Sequence, residues 1–203
     1  MAPIKWLAGA ALVAVAMAGA VVAQTADTAA PPQDDPHPKP RLAEIQWPEA
    51  IKMAAAEKRG ILAMQRAEID QTVIDKLTLP LMLPDDPRFD RAMRVFAQAN
   101  TYAATAREEG ALIEIVGTRV ALAAPEQSPL SRARKALTPP GGLRVERTDY
   151  GVDISFTRFG AAYNLSILCD DPVTDERCRK DDYARKIAES LVVVIGSRGA
   201  QKP

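Results

Sequence analysis

The sequence predicts an α+β domain: an antiparallel sheet of about five or six strands, helices before it, and a C-terminal helix and strand closing it. Three observations carry this. Apolar residues recur with helical spacing before residue 100 and with the period-2 alternation of strands after it. The strand-like runs are joined by short turn signals, Glu108-Glu109-Gly110 and Asp149-Tyr150-Gly151, which make neighbours antiparallel. Helical spacing then returns near the end, at Tyr183, Ala184, Ile187, Ala188 and Leu191.

In the helical part, residues 42–100, Trp47-Pro48-Glu49 opens the first helix with proline and an acid in its first turn. Ile51, Ala54, Ala55 and Lys58 keep one face, and Gly60 caps or kinks it. Leu77 to Pro84 is an apolar run interrupted by Pro80 and Pro84, which suits a buried extended segment or an edge strand. Asp85-Asp86-Pro87 then reads as a second helix start. Phe89, Met93 and Phe96 fall at i, i+4 and i+7, which extends that helix to about Asn100 with Arg88, Arg91 and Arg94 on its wet side.

Residues 101–196 form the sheet and belong to one domain with 42–100. Tyr102, Ala104 and Ala106 alternate with Thr101, Ala103 and Thr105, and the chain returns through Ala111 to Leu122 with Gly117 expected as a bulge. Ala123 to Gly142 is a long connection. Leu143 and Val145 resume the alternation, and Val152, Ile154 and Phe156 run back. Near Gly160 the apolar parity flips from even to odd numbers, so a tight turn or a bulge belongs there. Asp181 or Asp182 caps the last helix, and Leu191 to Ile195 is expected to extend a sheet edge. Residues 197–203 are a tail.

The N-terminus reads as an export signal. Lys5 precedes an apolar run from Trp6 to Val22, and Val21-Val22-Ala23 places small residues at a cleavage site. At about 17 residues, with many alanines and glycines, the run is short for a membrane anchor. Residues 1–23 are therefore expected to be a signal peptide, and membrane contact only through that segment if it is retained. Residues 24–41 hold five prolines between Pro31 and Pro40, which suits a solvated linker. These features point to a periplasmic or secreted product.

Without residues 1–23, whose one charge is Lys5, the 26 basic residues fall to 25 against 26 acidic ones. That balance gives no field for nucleic acid. Cys169 and Cys178 enclose eight residues, and an isolated pair in an oxidising compartment is expected to bond. A loop so short gains about 2.5 kcal/mol in the chain-entropy model. The spacing is too long for a Cys-x-x-Cys redox motif.

The residue inventory narrows the chemistry. The one histidine, His37, lies in the Pro-rich linker, which leaves Ser-His-Asp, Cys-His and His/Cys zinc sites without their parts. No phosphate loop is present, and no cofactor is expected. Asp170, Asp171, Asp175 and Glu176 form an acidic loop that suggests a cation site, with Arg177, Arg179 and Lys180 beside it. Arg132, Arg134 and Lys135 form a candidate anion-binding patch in the long connection. Glu114 and Asp153 are candidates for paired-carboxylate work on a glycan. Tyr102, Phe156 and Tyr163 line either a pocket or, as alternating aromatics usually do, the core. The expected function is a non-catalytic, envelope-associated binding module, its partner an envelope protein or cell-wall component. A carboxylate-dependent hydrolase of envelope glycan is the alternative.

Overall fold

Four two-residue turns organise the sheet. Ala99-Asn100, Glu109-Gly110 and Phe159-Gly160 each join a pair of adjacent strands, as does Asp149-Tyr150 at the far edge. In this computed structural model the described residues are 40–57, 63, 65, 68–89, 91–122 and 142–195. All of them fall in one unit, His37–Pro203.

The elements run β1 (Pro40–Leu42), α1 (Trp47–Glu57), α2 (Gln71–Ile74), β2 (Leu81–Pro84), a 3-10 turn (Pro87–Phe89), β3 (Arg94–Gln98), β4 (Thr101–Glu108), β5 (Ala111–Thr118) and β6 (Val120–Leu122). After the long connection come β7 (Arg144–Thr148), β8 (Gly151–Arg158), β9 (Ala161–Cys169), α3 (Glu176–Arg179), α4 (Asp182–Ser190) and β10 (Leu191–Val194). Six strands form one antiparallel sheet in the order β3-β4-β5-β9-β8-β7. The fold is therefore α+β, with the last helix and strand closing it.

Strand alternation divides the sheet cleanly. Tyr102, Ala104, Ala106, Ile113, Ile115, Val152, Ile154, Leu165 and Ile167 are buried on the inner face. The parity flip near Gly160 is a tight turn: Phe159 and Gly160 both have positive φ, 52° and 81°, as hairpin geometry demands.

The closing strand departs from expectation. β10 does not extend an edge of the large sheet. It pairs antiparallel with β2, Leu191 opposite Pro84 and Val194 opposite Leu81. Every residue of both strands is buried. An unbroken apolar run needs cover on both faces, and this ribbon has neighbours to supply it: β2 packs on β5 of the large sheet and on α4, and β10 packs on α1. The proline-interrupted run from Leu77 is thus a buried strand whose prolines sit at its ends.

The helix expected from Asp86 to Asn100 does not form. Asp86 starts only the 3-10 turn, accepting from the Arg88 backbone N–H at 3.0 Å. Residues 94–98 pair with β4 instead. Val95 and Phe96 are strand formers, and a two-residue turn offers β4 as an immediate partner, which outweighs the helical spacing of three side chains. Phe89 and Met93 are still buried, but Phe96 is 66% exposed. Gly117 is no bulge either: β4 and β5 pair without interruption from Thr101↔Thr118 to Glu108↔Ala111. The last two residues expected in the linker, Pro40 and Arg41, belong to β1 and pair with β6.

Candidate functional site: the open sheet face

The outer face of the sheet carries mixed, half-exposed side chains in straight cross-strand rows. One row reads Phe96, Ala103, Val116, Asn164, Ser155, Arg144 from edge to edge. It changes from apolar through neutral polar to cationic. The next row reads Arg94, Thr105, Glu114, Ser166, Asp153, Glu146.

Hydrogen bonds fix the polar centre. Ser155 Oγ donates to Asn164 Oδ1 at 2.8 Å, and Asn164 Nδ2 donates to Ser166 Oγ at 2.8 Å. Ser166 is the buried polar residue among those described, at 8% exposure. The ladder holds the Asn164 amide in one orientation, the arrangement of a preformed recognition group. A groove of about 570 Å³ runs over this region, lined by Val116, Thr118, Arg144, Ser155, Thr157 and Asn164 among others. A second, of about 480 Å³, lies beside β3. Val116 lines both.

Glu114 and Asp153 lie in the same row on either side of Ser166. Two strand spacings separate their Cα atoms by about 9–10 Å. They stand on an open face rather than facing across a cleft. Tyr102 and Tyr163 are core residues. Tyr102 accepts from the Met82 N–H at 3.0 Å, and Tyr163 donates to the Pro80 carbonyl at 3.0 Å, so both tie the buried ribbon to the sheet. Burial pushes both phenols up. Phe156 stacks on Tyr163, ring centroids 5.3 Å apart.

The cysteine sulfurs lie 2.03 Å apart, at disulfide distance. Within the loop they close, the acids serve the backbone. Asp171 accepts from the Thr174 hydroxyl, the Thr174 N–H and the Val173 N–H, which together hold its carboxyl below the usual range. Asp175 caps α3 through the Arg177 N–H at 2.9 Å, and its bonds to the Arg177 guanidinium lower it likewise. Glu176 pairs with Lys180 at 3.1 Å. The Asp170 side chain is exposed. Among the described residues no three His, Cys, Asp or Glu converge as a metal-ligand set. Arg132, Arg134, Lys135 and His37 lie outside the described residues.

A polar cluster the sequence does not signal sits at this end of the sheet. Glu108, last residue of β4, accepts from Tyr183 OH at 2.6 Å and Arg177 Nη1 at 3.2 Å. The Arg88 guanidinium lies over the Tyr183 ring, 5.3 Å from its centroid. Burial and then the Glu108 bond push the Tyr183 phenol up. These residues come from four separate elements, and only the fold brings them together. The cluster pins the stapled loop and α4 to the β4–β5 turn, and its charges are used internally.

Among known proteins the chain matches no family model, no curated protein and no solved structure. No helix of the described residues is long and apolar enough to cross a membrane.

Proposed function

We propose that the protein is a non-catalytic exported module that binds a cell-envelope component across its open sheet face. One observation carries this reading: the Ser155–Asn164–Ser166 ladder, held rigid by its own hydrogen bonds, under a groove between Val116 and Arg144. Binding sites combine such fixed polar groups with adjacent apolar surface. The N-terminal export pattern and the cysteine pair support the exported setting. The ionisable groups of the face are carboxylates and arginines spread along rows, not gathered around one point.

The experiment is a comparison of capture from envelope extracts by the wild-type chain and by the face variants Ser155→Glu and Asn164→Ala. A partner held by the wild type and lost from both variants, with melting temperatures unchanged, is the expected result. Equal capture by all three overturns the reading. The alternative, a carboxylate-dependent hydrolase, rests on Glu114 and Asp153 sharing one row of the same sheet face. Turnover of cell-wall fragments that is abolished by Glu114→Gln or Asp153→Asn would favour it.

A further inference from the structure

The sheet ends in two edges of opposite character. β7 carries Arg144, Glu146 and Arg147, the charged surface that keeps an edge strand from pairing. β3, sequence Arg-Val-Phe-Ala-Gln, carries the exposed Phe96 between single polar ends. We propose that β3 is a dimerisation edge, at which a second copy of this chain adds antiparallel and continues the sheet.

Hydrogen-bond register decides which groups are available. The two-residue turn Ala99-Asn100 closes on Gln98 and Thr101, so that pair exchanges both of its backbone bonds. Alternation then makes Phe96↔Ala103 and Arg94↔Thr105 bonded pairs. Val95 and Ala97 therefore turn their N–H and C=O groups away from β4, toward the outer edge of the sheet, beside the groove that Val73 and Lys76 help to line. No described strand pairs there.

A two-fold axis beside Phe96 satisfies this edge with itself. Val95 of one copy faces Ala97 of the other, twice over, which makes four backbone hydrogen bonds. Phe96 faces its own copy as a non-hydrogen-bonded pair, the geometry that brings side chains closest, with Cα atoms about 4.5 Å apart. Arg94 faces the neutral Gln98, so the register sets no like charges opposite one another. The same construction at β7 sets Glu146 against Glu146, which is repulsive. Self-complementarity is what an isologous contact requires. The charge pattern allows it at one edge and opposes it at the other.

The test uses the exported chain. Sedimentation across a concentration series should show a monomer–dimer equilibrium for the wild type. Phe96→Lys and Ala97→Pro should each weaken it at least about tenfold. Ala97→Pro removes an N–H that the monomer's own ladder does not use, so its melting temperature at low concentration should match the wild type. Phe96→Cys should give a covalent dimer on mild oxidation. A wild type that stays monomeric throughout leaves the edge to a strand of another protein and overturns the proposal. So does a dimer that survives both Phe96→Lys and Ala97→Pro.

Discussion

The Tyr102 ring lies directly over Gly117, its partner across β4 and β5, in the space where any other residue would place a side chain. A Cβ built on Gly117 would sit 2.3 Å from Tyr102 Cε1. Tyr102 cannot swing clear, because it is fully buried and its hydroxyl is bound to the Met82 backbone. The glycine makes room for the aromatic clamp on the buried ribbon.

Gly117→Ala should therefore destabilise the domain by about 1–3 kcal/mol, the usual cost of overpacking a rigid core. The Tm should fall by roughly 2–4 °C per kcal/mol for a chain of this size. Tyr102→Phe should cost about 1–3 kcal/mol by a different route, leaving the Met82 N–H buried without an acceptor. Thermal melts of the two single variants check both. A Gly117→Ala protein as stable as wild type would show that the ring is free to move.

The acid side of the stability curve should depend on Asp175. Its carboxyl is held below the usual aspartate range, chiefly by its hydrogen bonds to the Arg177 guanidinium. A depressed folded-state value means stability that is present above the unfolded value and lost as pH falls through the folded one. The wild-type Tm should accordingly drop as pH falls from about 5 toward 2. Asp175→Asn keeps a good helix cap but not the charge. With Asp175 and Arg177 partly exposed, the pair contributes about 1 kcal/mol or less. The variant should melt a few degrees lower at pH 7, and the two curves should converge near pH 2. Parallel curves would remove this account.

Local chemistry made most of the sheet legible. The turn at Glu109-Gly110, the parity flip at Gly160 and the amphipathic spacing of α4 each fix a neighbour within a few residues. What could not be read was set by distant partners. Phe89, Met93 and Phe96 have helical spacing, yet β4 captures residues 94–98. β10 looks like an edge strand until Leu81–Pro84 appears as its partner more than a hundred residues upstream. The polar ladder of the open face is likewise spread over β8 and β9, so serine and asparagine in alternating strands gave no sign of a shared row. Glu108 read as a turn residue because Arg177 and Tyr183 reach it only through the stapled loop.

The N-terminal limit of the domain should be sharp. β1 pairs with β6, and the next residue is clamped on both sides: Ala43 N–H donates to the Arg119 carbonyl at 2.7 Å, and Arg119 Nε donates to the Ala43 carbonyl at 3.2 Å. A chain starting at His37 keeps these contacts and should melt like the chain starting at Gln24. A chain starting at Glu44 loses them and leaves the β6 edge bare, so its Tm should fall by several degrees. Equal melting of all three would show that β1 contributes nothing.

The cysteine pair should be bonded in the chain recovered from an oxidising compartment and should matter to its stability. Cys178 is buried against Gly151, where a Cβ would lie 2.9 Å from its sulfur and 1.9 Å from the Ile167 carbonyl oxygen. The sulfur thus sits in a slot between β8 and β9 that no larger residue at 151 would leave open. Thiol titration of that chain, unfolded, should find almost no free thiol. Replacing both cysteines with serine should cost about 2.5 kcal/mol from loop closure alone. Gly151→Ala should be at least as damaging while leaving the thiol count at zero, which separates the packing of the slot from the covalent bond. Two reactive thiols per chain would overturn the assignment.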